Sequence, residues 1–365
     1  MPGDVRVEKV RAAAYRAPND EPDGDAPLPW DAATLIVVHA EGGGMRGFGY
    51  GYADPAAAVL INETLAAVVT SGDALSPAAA WEALRARLRI SGQTGIGACA
   101  VSAVDCALWD LKAKLLGVSL VRLLGQVRPD VRAYGSGAVT SYEESQLRSQ
   151  LGGWVSAGMN AVKIRVGGGG IRDLGQVEIA RDAIGRDVDL FVDANGAYTA
   201  KQALGYARRF ADYGVAWFEE PVPADDLDGL RLVRRGGPPG MSVAAGKSAW
   251  GAGDIRRLLE AGAVDVVQVD ATRAGGVTGF LQIAALCDAF QTPLSAHMAP
   301  SLHATLCCAT PRVLHAEAFH DHARLEALFL DGAVAARDGR LAPDPAALGW
   351  GLALKTADAE PHRVA

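Results

Sequence analysis

Between residues 131 and 316 eight short apolar runs recur, each followed by a loop and then a stretch patterned like a helix. They occupy 131–133, 161–166, 190–192, 215–218, 241–245, 264–269, 293–296 and 312–316. Runs this short and this apolar read as strands buried on both faces, and helix-sized connections between them imply parallel pairing. Eight such units over about 190 residues fit a closed barrel better than an open sheet. The part before residue 127 has a different rhythm. Strands are expected at 5–15, 34–40 and 48–52, an acidic, proline-rich loop at 19–29, and helices at 56–70, 77–89 and 97–116. The last helix is apolar at nearly every turn, as a helix buried between two units should be. Strands first and helices afterwards describe a small α+β domain.

What stands at the end of each run carries the chemistry. In order these residues are Tyr134 and Ser136, Lys163 and Arg165, Asp193, Glu219, Lys247, Asp270, His297 and Glu317. From Asp193 onward they lie 20 to 28 residues apart, about one βα unit each. A barrel brings all of its strand ends to one mouth, so these side chains converge. Any one of them alone has an ordinary explanation. Asp193, before Ala-Asn-Gly, could cap a helix, and His297 could be a satisfied core imidazole. As a set they resist it, because so many ionisable groups at matching positions in one mouth would be a costly accident.

Composition excludes some partners. The chain has 365 residues, half of them apolar and 21% charged, with a formal net charge of −7. That balance argues against nucleic acid or an anionic membrane surface, and the longest basic run is Arg234-Arg235. Residues 56–69 are too short and interrupted to span a bilayer, and the first ten residues lack a secretory pattern, so a cytoplasmic location is expected. The five cysteines (Cys99, Cys106, Cys287, Cys307, Cys308) show no C-x-x-C spacing and read as small core hydrophobes. Gly167 to Gly170 has no phosphate-loop context, and Phe319-His320-Asp321-His322 reads as a polar rim loop.

Several segments taken together are more specific. They are Val162-Lys163-Ile164-Arg165-Val166-Gly167, Val192-Asp193-Ala194-Asn195-Gly196-Ala197-Tyr198, Trp217-Phe218-Glu219-Glu220-Pro221, Ala245-Gly246-Lys247, Val269-Asp270-Ala271-Thr272-Arg273 and Ser295-Ala296-His297. With the helix Ser102 to Lys112, they resemble the mandelate racemase and muconate lactonising branch of the enolase superfamily over essentially the whole chain. The resemblance implies an α/β fold with an α+β capping domain (1–127), a modified TIM barrel, (β/α)7β (128–330), and a C-terminal segment (331–365) returning to the cap. It also implies a homo-oligomer acting on a small-molecule carboxylate. Members abstract a proton α to a carboxylate and stabilise the enediolate with Mg²⁺. By resemblance, Asp193 and Glu219 match the first two metal ligands, and Asp270 and His297 match the dyad that serves as base or acid. Glu317 matches a position that hydrogen-bonds or protonates the substrate carboxylate, and Lys163 matches the first lysine of a K-x-K pair. Asn195, Tyr134, Ser136, Trp30 and Tyr52 are candidate substrate contacts, and 19–30 and 47–54 are candidate lid segments. The acidic residues Asp20, Glu21, Asp23 and Asp25 read first as a solvated flexible loop; as a lid they would favour a cationic or polyhydroxylated substrate. Tyr50 would join Trp30 and Tyr52 in an apolar wall.

The chain departs from the family pattern twice. The second lysine of K-x-K is Arg165, a guanidinium that stays protonated and makes a poor base. His297 is then the sole base, which favours elimination, that is, dehydration of a hydroxy acid or sugar acid. The third metal position is Lys247 rather than Glu. Three accounts follow: Mg²⁺ still binds with help from Glu220 or water, the Lys247 ammonium takes the metal's place, or the ancestral reaction is lost. The second is preferred, because Asp193 and Glu219 need a counter-ion. The rival functions are a racemase or cycloisomerase, and a non-catalytic or repurposed barrel that binds a small acid.

Overall fold

The computed structural model describes residues 5–23 and 30–365. Three antiparallel strands, β1 (Lys9–Asp23), β2 (Trp30–Gly42) and β3 (Met45–Tyr52), form the N-terminal sheet in the order β1-β2-β3. β1 runs on past the expected strand, so 19–23 is strand and not loop. As an edge strand it accommodates Pro18 opposite Ala32, with a register shift before Asp23 meets Trp30. Residues 24–29, with Asp25, lie outside the described residues, as do the side chains of residues 21–23 and of Trp30.

The helix expected at 56–70 is split into α1 (Ala56–Leu60) and α2 (Ala66–Val69) by a π-helical turn, Ile61–Leu65. Within that turn Asn62 accepts from the Ala12 N–H at 2.8 Å and donates to the Ala12 carbonyl at 2.9 Å, securing the edge strand. α3 (Pro77–Arg87) and α4 (Ile96–Leu115) follow. α4 packs so closely on β3 that a Cβ on Gly49 would meet the Ala107 nitrogen at 2.4 Å and the Ala103 oxygen at 2.5 Å. The acidic residues of α4 are fasteners. Asp105 accepts from the Thr278 N–H and hydroxyl, at 2.9 and 2.6 Å, while Asp110 accepts from the N–H groups of Phe48 and Trp350. One helix thereby joins the cap sheet, the barrel and the C-terminal segment. The last residues return to the cap, where the Val364 N–H donates to the Ala14 carbonyl.

All eight runs become strands: β4 (Val131–Ala138), β5 (Ala161–Arg165), β6 (Asp189–Asp193), β7 (Val215–Glu219), β8 (Ser242–Ala245), β9 (Val266–Val269), β10 (Leu294–Ala296) and β11 (Val313–Phe319). Neighbours pair in parallel, a helix lies between each successive pair, and β11 closes on β4 through Glu317↔Tyr134 and Phe319↔Ser136. The fold is the capped parallel barrel the spacing implied. Its interior below the mouth is filled by Tyr134, Phe191, Trp217, Ala244 and Val266. All five cysteines are free and buried. Among the described residues no helix is long and apolar enough to cross a membrane.

Candidate active site

Strand register aligns the chemistry. Arg165 pairs with Asp193, and Asp193 with Glu219, so the ends of β5, β6 and β7 present these groups at one level. Side chains alternate along a strand, so Lys163 and Arg165 fall on the same face, as do Trp217 and Glu219, and Gln268 and Asp270. The mouth opens into a cavity of about 1010 Å³, walled by the barrel loops and by cap residues that include Tyr52.

Lys247 occupies the centre of the acidic cluster. Gly246, at φ +118°, turns the chain beyond β8 where a Cβ would meet the Gln268 carbonyl at 2.6 Å. The ammonium then reaches Asp193 Oδ1 and Oδ2 at 2.8 and 2.7 Å, Glu219 Oε1 at 2.7 Å and Asn195 Oδ1 at 2.7 Å. Glu220 Oε2 lies at 3.5 Å. Burial alone would depress the lysine pKa, but Asp193 and Glu219 outweigh it and hold the ammonium charged, above its ordinary range. Glu219 is fully buried, and its other oxygen accepts from Lys163 Nζ (2.8 Å), Gln268 Nε2 (2.8 Å) and Trp217 Nε1 (3.3 Å). Against the cost of burial, the two lysines hold its carboxylate well below the usual range.

Lys163 also pairs with Glu317 Oε1 at 2.8 Å and lies 3.7 Å from Asp193. Despite burial, Glu219 and Glu317 keep it protonated, so it has no lone pair to offer as a base. Glu317 accepts from the Met298 N–H at 2.9 Å and is held down to about 2, mainly by Lys163 and His297 working against burial. In that state it is an anchored anion with no proton to give. The Ser136 hydroxyl adds a hydrogen bond to it.

Asp270 orients His297. Its Oδ1 accepts from the Thr272 N–H and hydroxyl at 2.8 and 2.6 Å, and Oδ2 stands 3.1 Å from His297 Nδ1 and 3.5 Å from Arg273 Nε. Burial works to raise the Asp270 pKa, yet the His297 bond and Arg273 bring it below the usual range. With Nδ1 on the carboxylate, Nε2 is the ring atom left to accept a proton, 3.7 Å from Glu317 Oε2. Met298 and Ala299 follow in left-handed conformations, φ +55° and +41°. His303 Nδ1 bonds the Met298 carbonyl at 2.6 Å and holds this turn. Asn195 and Glu220 are also left-handed, at φ +44° and +36°, so backbone strain gathers around the mouth.

Four site expectations change. Tyr134 is fully buried in the barrel floor with its ring 5.5 Å beneath Lys163 Nζ, and it does not line the cavity. It precedes Ser136 by two residues on β4, one side-chain layer deeper. Tyr50 and Tyr52 also part company. Tyr50 is core and donates to Glu326 at 2.7 Å, whereas Tyr52 lines the cavity and stacks on His322 with centroids 3.3 Å apart. His322 is itself buried on the helix His320–Phe329, so that segment is no rim loop. Asp20 faces this helix, 2.7 Å from His320 Nε2, and so fastens β1 to the barrel instead of facing a substrate. Arg165, Asn195 and Ser136 line the cavity, and so do Glu220 and Arg273, which the strand-end rule passed over because it had already taken Glu219 and Asp270 for those strands.

A capped parallel barrel with its ionisable groups gathered at the C-terminal ends of the strands has the layout of a barrel enzyme. The chain belongs to the enolase superfamily, in its mandelate racemase and muconate lactonising branch. Residues 146–359 match the enolase C-terminal domain-like family, and residues 22–125 match the mandelate racemase / muconate lactonizing enzyme N-terminal domain. A D-galactarolactone cycloisomerase of Agrobacterium fabrum is 34% identical over 77% of this chain and 75% of its own. The crystal structure of a mandelate racemase/muconate lactonizing enzyme-like protein from Rubrobacter xylanophilus superposes with a TM-score of 0.96 at 47% identity, covering 98% of this chain and 100% of the other. An L-talarate dehydratase from Polaromonas, complexed with Mg and L-glucarate, superposes at 0.90 with 28% identity over 99% of this chain and 98% of its own.

Proposed function

We propose that this chain is a dehydratase of hydroxy acids or sugar acids in which the Lys247 ammonium stands where its relatives carry magnesium. The observation that carries the reading is the set of short contacts from Lys247 Nζ to Asp193, Glu219 and Asn195. Magnesium does not fit this donor set. It requires octahedral oxygen ligands at about 2.0–2.1 Å, and here the point between the two carboxylates holds a charged nitrogen. Among the described residues no group of three His, Cys, Asp or Glu side chains could hold a metal ion.

The remaining residues support a one-base elimination. His297 Nε2 takes the proton from the carbon α to the substrate carboxylate, while Asp270 steadies the imidazolium that forms. The electrons move into an enediolate, whose charge faces the buried ammonium groups of Lys247 and Lys163. The C–O bond at the β carbon then breaks, and the hydroxyl leaves as water with the proton His297 acquired. The enol left behind tautomerises to a 2-keto acid. Lys163 is charged and Arg165 is a guanidinium, so neither competes as a base. The cavity, about 1010 Å³, has room for a polyhydroxylated acid.

The test is turnover of a hydroxy-acid library by chelator-treated enzyme in D₂O, read as α-deuterium incorporation and 2-keto acid formation. Exchange or product without added metal is expected. Activity that returns only with Mg²⁺ would overturn the Lys247 reading, and no exchange with any acid would overturn the enzymatic one.

A further inference from the structure

We propose that Asn195 is the exchangeable third partner of the Lys247 ammonium. Its amide oxygen holds the N–H that a ligand oxygen takes over on binding, and the amide then turns to donate to that ligand. This rests on the reading of Lys247 as the site's cation.

An ammonium has three hydrogens and no lone pair. Asp193, Glu219 and Asn195 absorb all three at 2.7–2.8 Å, so in this arrangement Lys247 offers charge but no free donor. A substrate oxygen can gain a hydrogen bond from it only by displacing a partner. Glu219 cannot leave, because it is fully buried and its second oxygen accepts from Lys163, Gln268 and Trp217. Asp193 is held on both oxygens, and its Oδ1 accepts from the Asn195 N–H at 3.0 Å as well. In both, full opposite charges meet, whereas the third contact joins a charge to a dipole. Asn195 is the neutral partner, and the residue is exposed on the cavity wall.

The backbone around Asn195 is pinned. Its N–H is on Asp193, its φ is +44°, and the Gly196 N–H donates to the Glu220 carbonyl at 2.8 Å. Only the side-chain torsions can respond. An anionic oxygen outcompetes a neutral amide oxygen for an ammonium N–H. Once displaced, the amide can rotate and present Nδ2 to the incoming group. The ligand selected must then bring one negatively charged oxygen to Lys247 and a second acceptor beside it, as an α-hydroxy carboxylate does.

The experiment uses the full chain, treated with chelator, and 2-hydroxyisobutyrate, an α-hydroxy acid with no α-hydrogen. Calorimetry measures affinity for wild type, N195A and N195D, thermal melts monitor the fold, and selective ¹⁵N labelling of the four asparagines reports their side-chain amides. The Asn195 amide signal is expected to move on saturation while those of Asn19, Asn62 and Asn160 stay. N195D substitutes a charged acceptor that does not yield and removes the donor, so affinity should fall about 30-fold or more, without loss of thermal stability. N195A loses the donor but frees the ammonium N–H, and should bind only several-fold more weakly than wild type. Binding by wild type with an unmoved Asn195 signal, or by N195D as tightly as wild type, overturns the proposal while leaving the Lys247 reading intact. Binding only after magnesium is added overturns that reading and the proposal with it. No binding under either condition overturns the ligand class and hence the proposal alone.

Discussion

Replacing Lys247 tests the electrostatic argument where its magnitude is greatest. In Lys247→Met the stem is kept and the ammonium lost, leaving Asp193 and Glu219 buried against each other without their shared cation. Removing one partner from a buried ion pair costs about 3–5 kcal/mol, a large part of a native stability of about 5–15 kcal/mol. The melting temperature should fall by on the order of 10 °C. Lys247→Glu should be destabilised at least as much in chelator, since it adds a third carboxylate. It also creates the oxygen cage that magnesium prefers, and metal at 100 times its Kd should return about 2.7 kcal/mol.

The pH dependence has a definite sign. In wild type the Lys247 pKa is raised, so its stabilisation is present below the unfolded-state lysine value and is lost only in strong alkali. The Glu219 pKa is depressed, so its contribution is present above the unfolded-state value and is lost in acid. Between those limits this pair adds no slope. In Lys247→Met Glu219 loses one of the two lysines that depress it, so its folded-state value rises and the stability it loses in acid becomes smaller. Melts followed by circular dichroism, with chelator or millimolar magnesium, measure all of this. A wild-type melting temperature that rises several degrees in magnesium, or a Lys247→Glu protein indifferent to it, would refute the reasoning.

Three further outcomes are expected. His297→Asn keeps a hydrogen bond to Asp270 but removes the base, and α-deuterium exchange should drop by about 10²–10⁴-fold with little change in melting temperature. Gly49→Ala places a methyl against the α4 backbone, at 2.4 Å from the Ala107 nitrogen, and should cost about 3 kcal/mol or more in urea unfolding, since backbone cannot step aside. Burial pushes the carboxyls of Glu326 and Asp105 up to about 7. A raised carboxyl stabilises the fold below its unfolded-state value, and that stability is lost as pH rises through the folded-state value. Between about pH 4.5 and 7 Glu326→Gln should therefore gain stability relative to wild type, and Glu326→Gln with Asp105→Asn more so, while the depressed histidines His39, His315 and His322 add an opposite slope common to all three proteins.

The barrel was legible because its signal is repeated eight times, so an error in one run does not unsettle the count. The site was legible for a related reason: strand ends in a barrel must meet, and Asp193, Glu219, Lys247, Asp270 and His297 follow at one-unit intervals. What escaped depended on depth and on partners. Tyr134 and Ser136 both precede the loop of one strand, yet two residues of strand separate a floor position from a mouth position. Gln268 and Trp217, which hold Glu219, could have been found by stepping back two residues from each acidic strand end. Asp20 looked like a free acidic loop because nothing local names His320, some 300 positions away. The interruption of the first helix was hidden for the same reason, since it depends on Asn62 meeting Ala12.

Lys247 lies between these cases. Its charge was visible as a letter, but its consequence depends on reach. β8 is separated from β6 by β7, and strands stand about 4.8 Å apart, so Asp193 is two strand spacings away from the start of the lysine. A glutamate at this position ends short of Asp193 and needs an ion to complete the gap. A lysine carries its charge at the tip of four methylenes and spans it, touching Glu219 on the way. The same position can thus serve either as a ligand of a cation or as the cation itself, and side-chain length together with sign decides which.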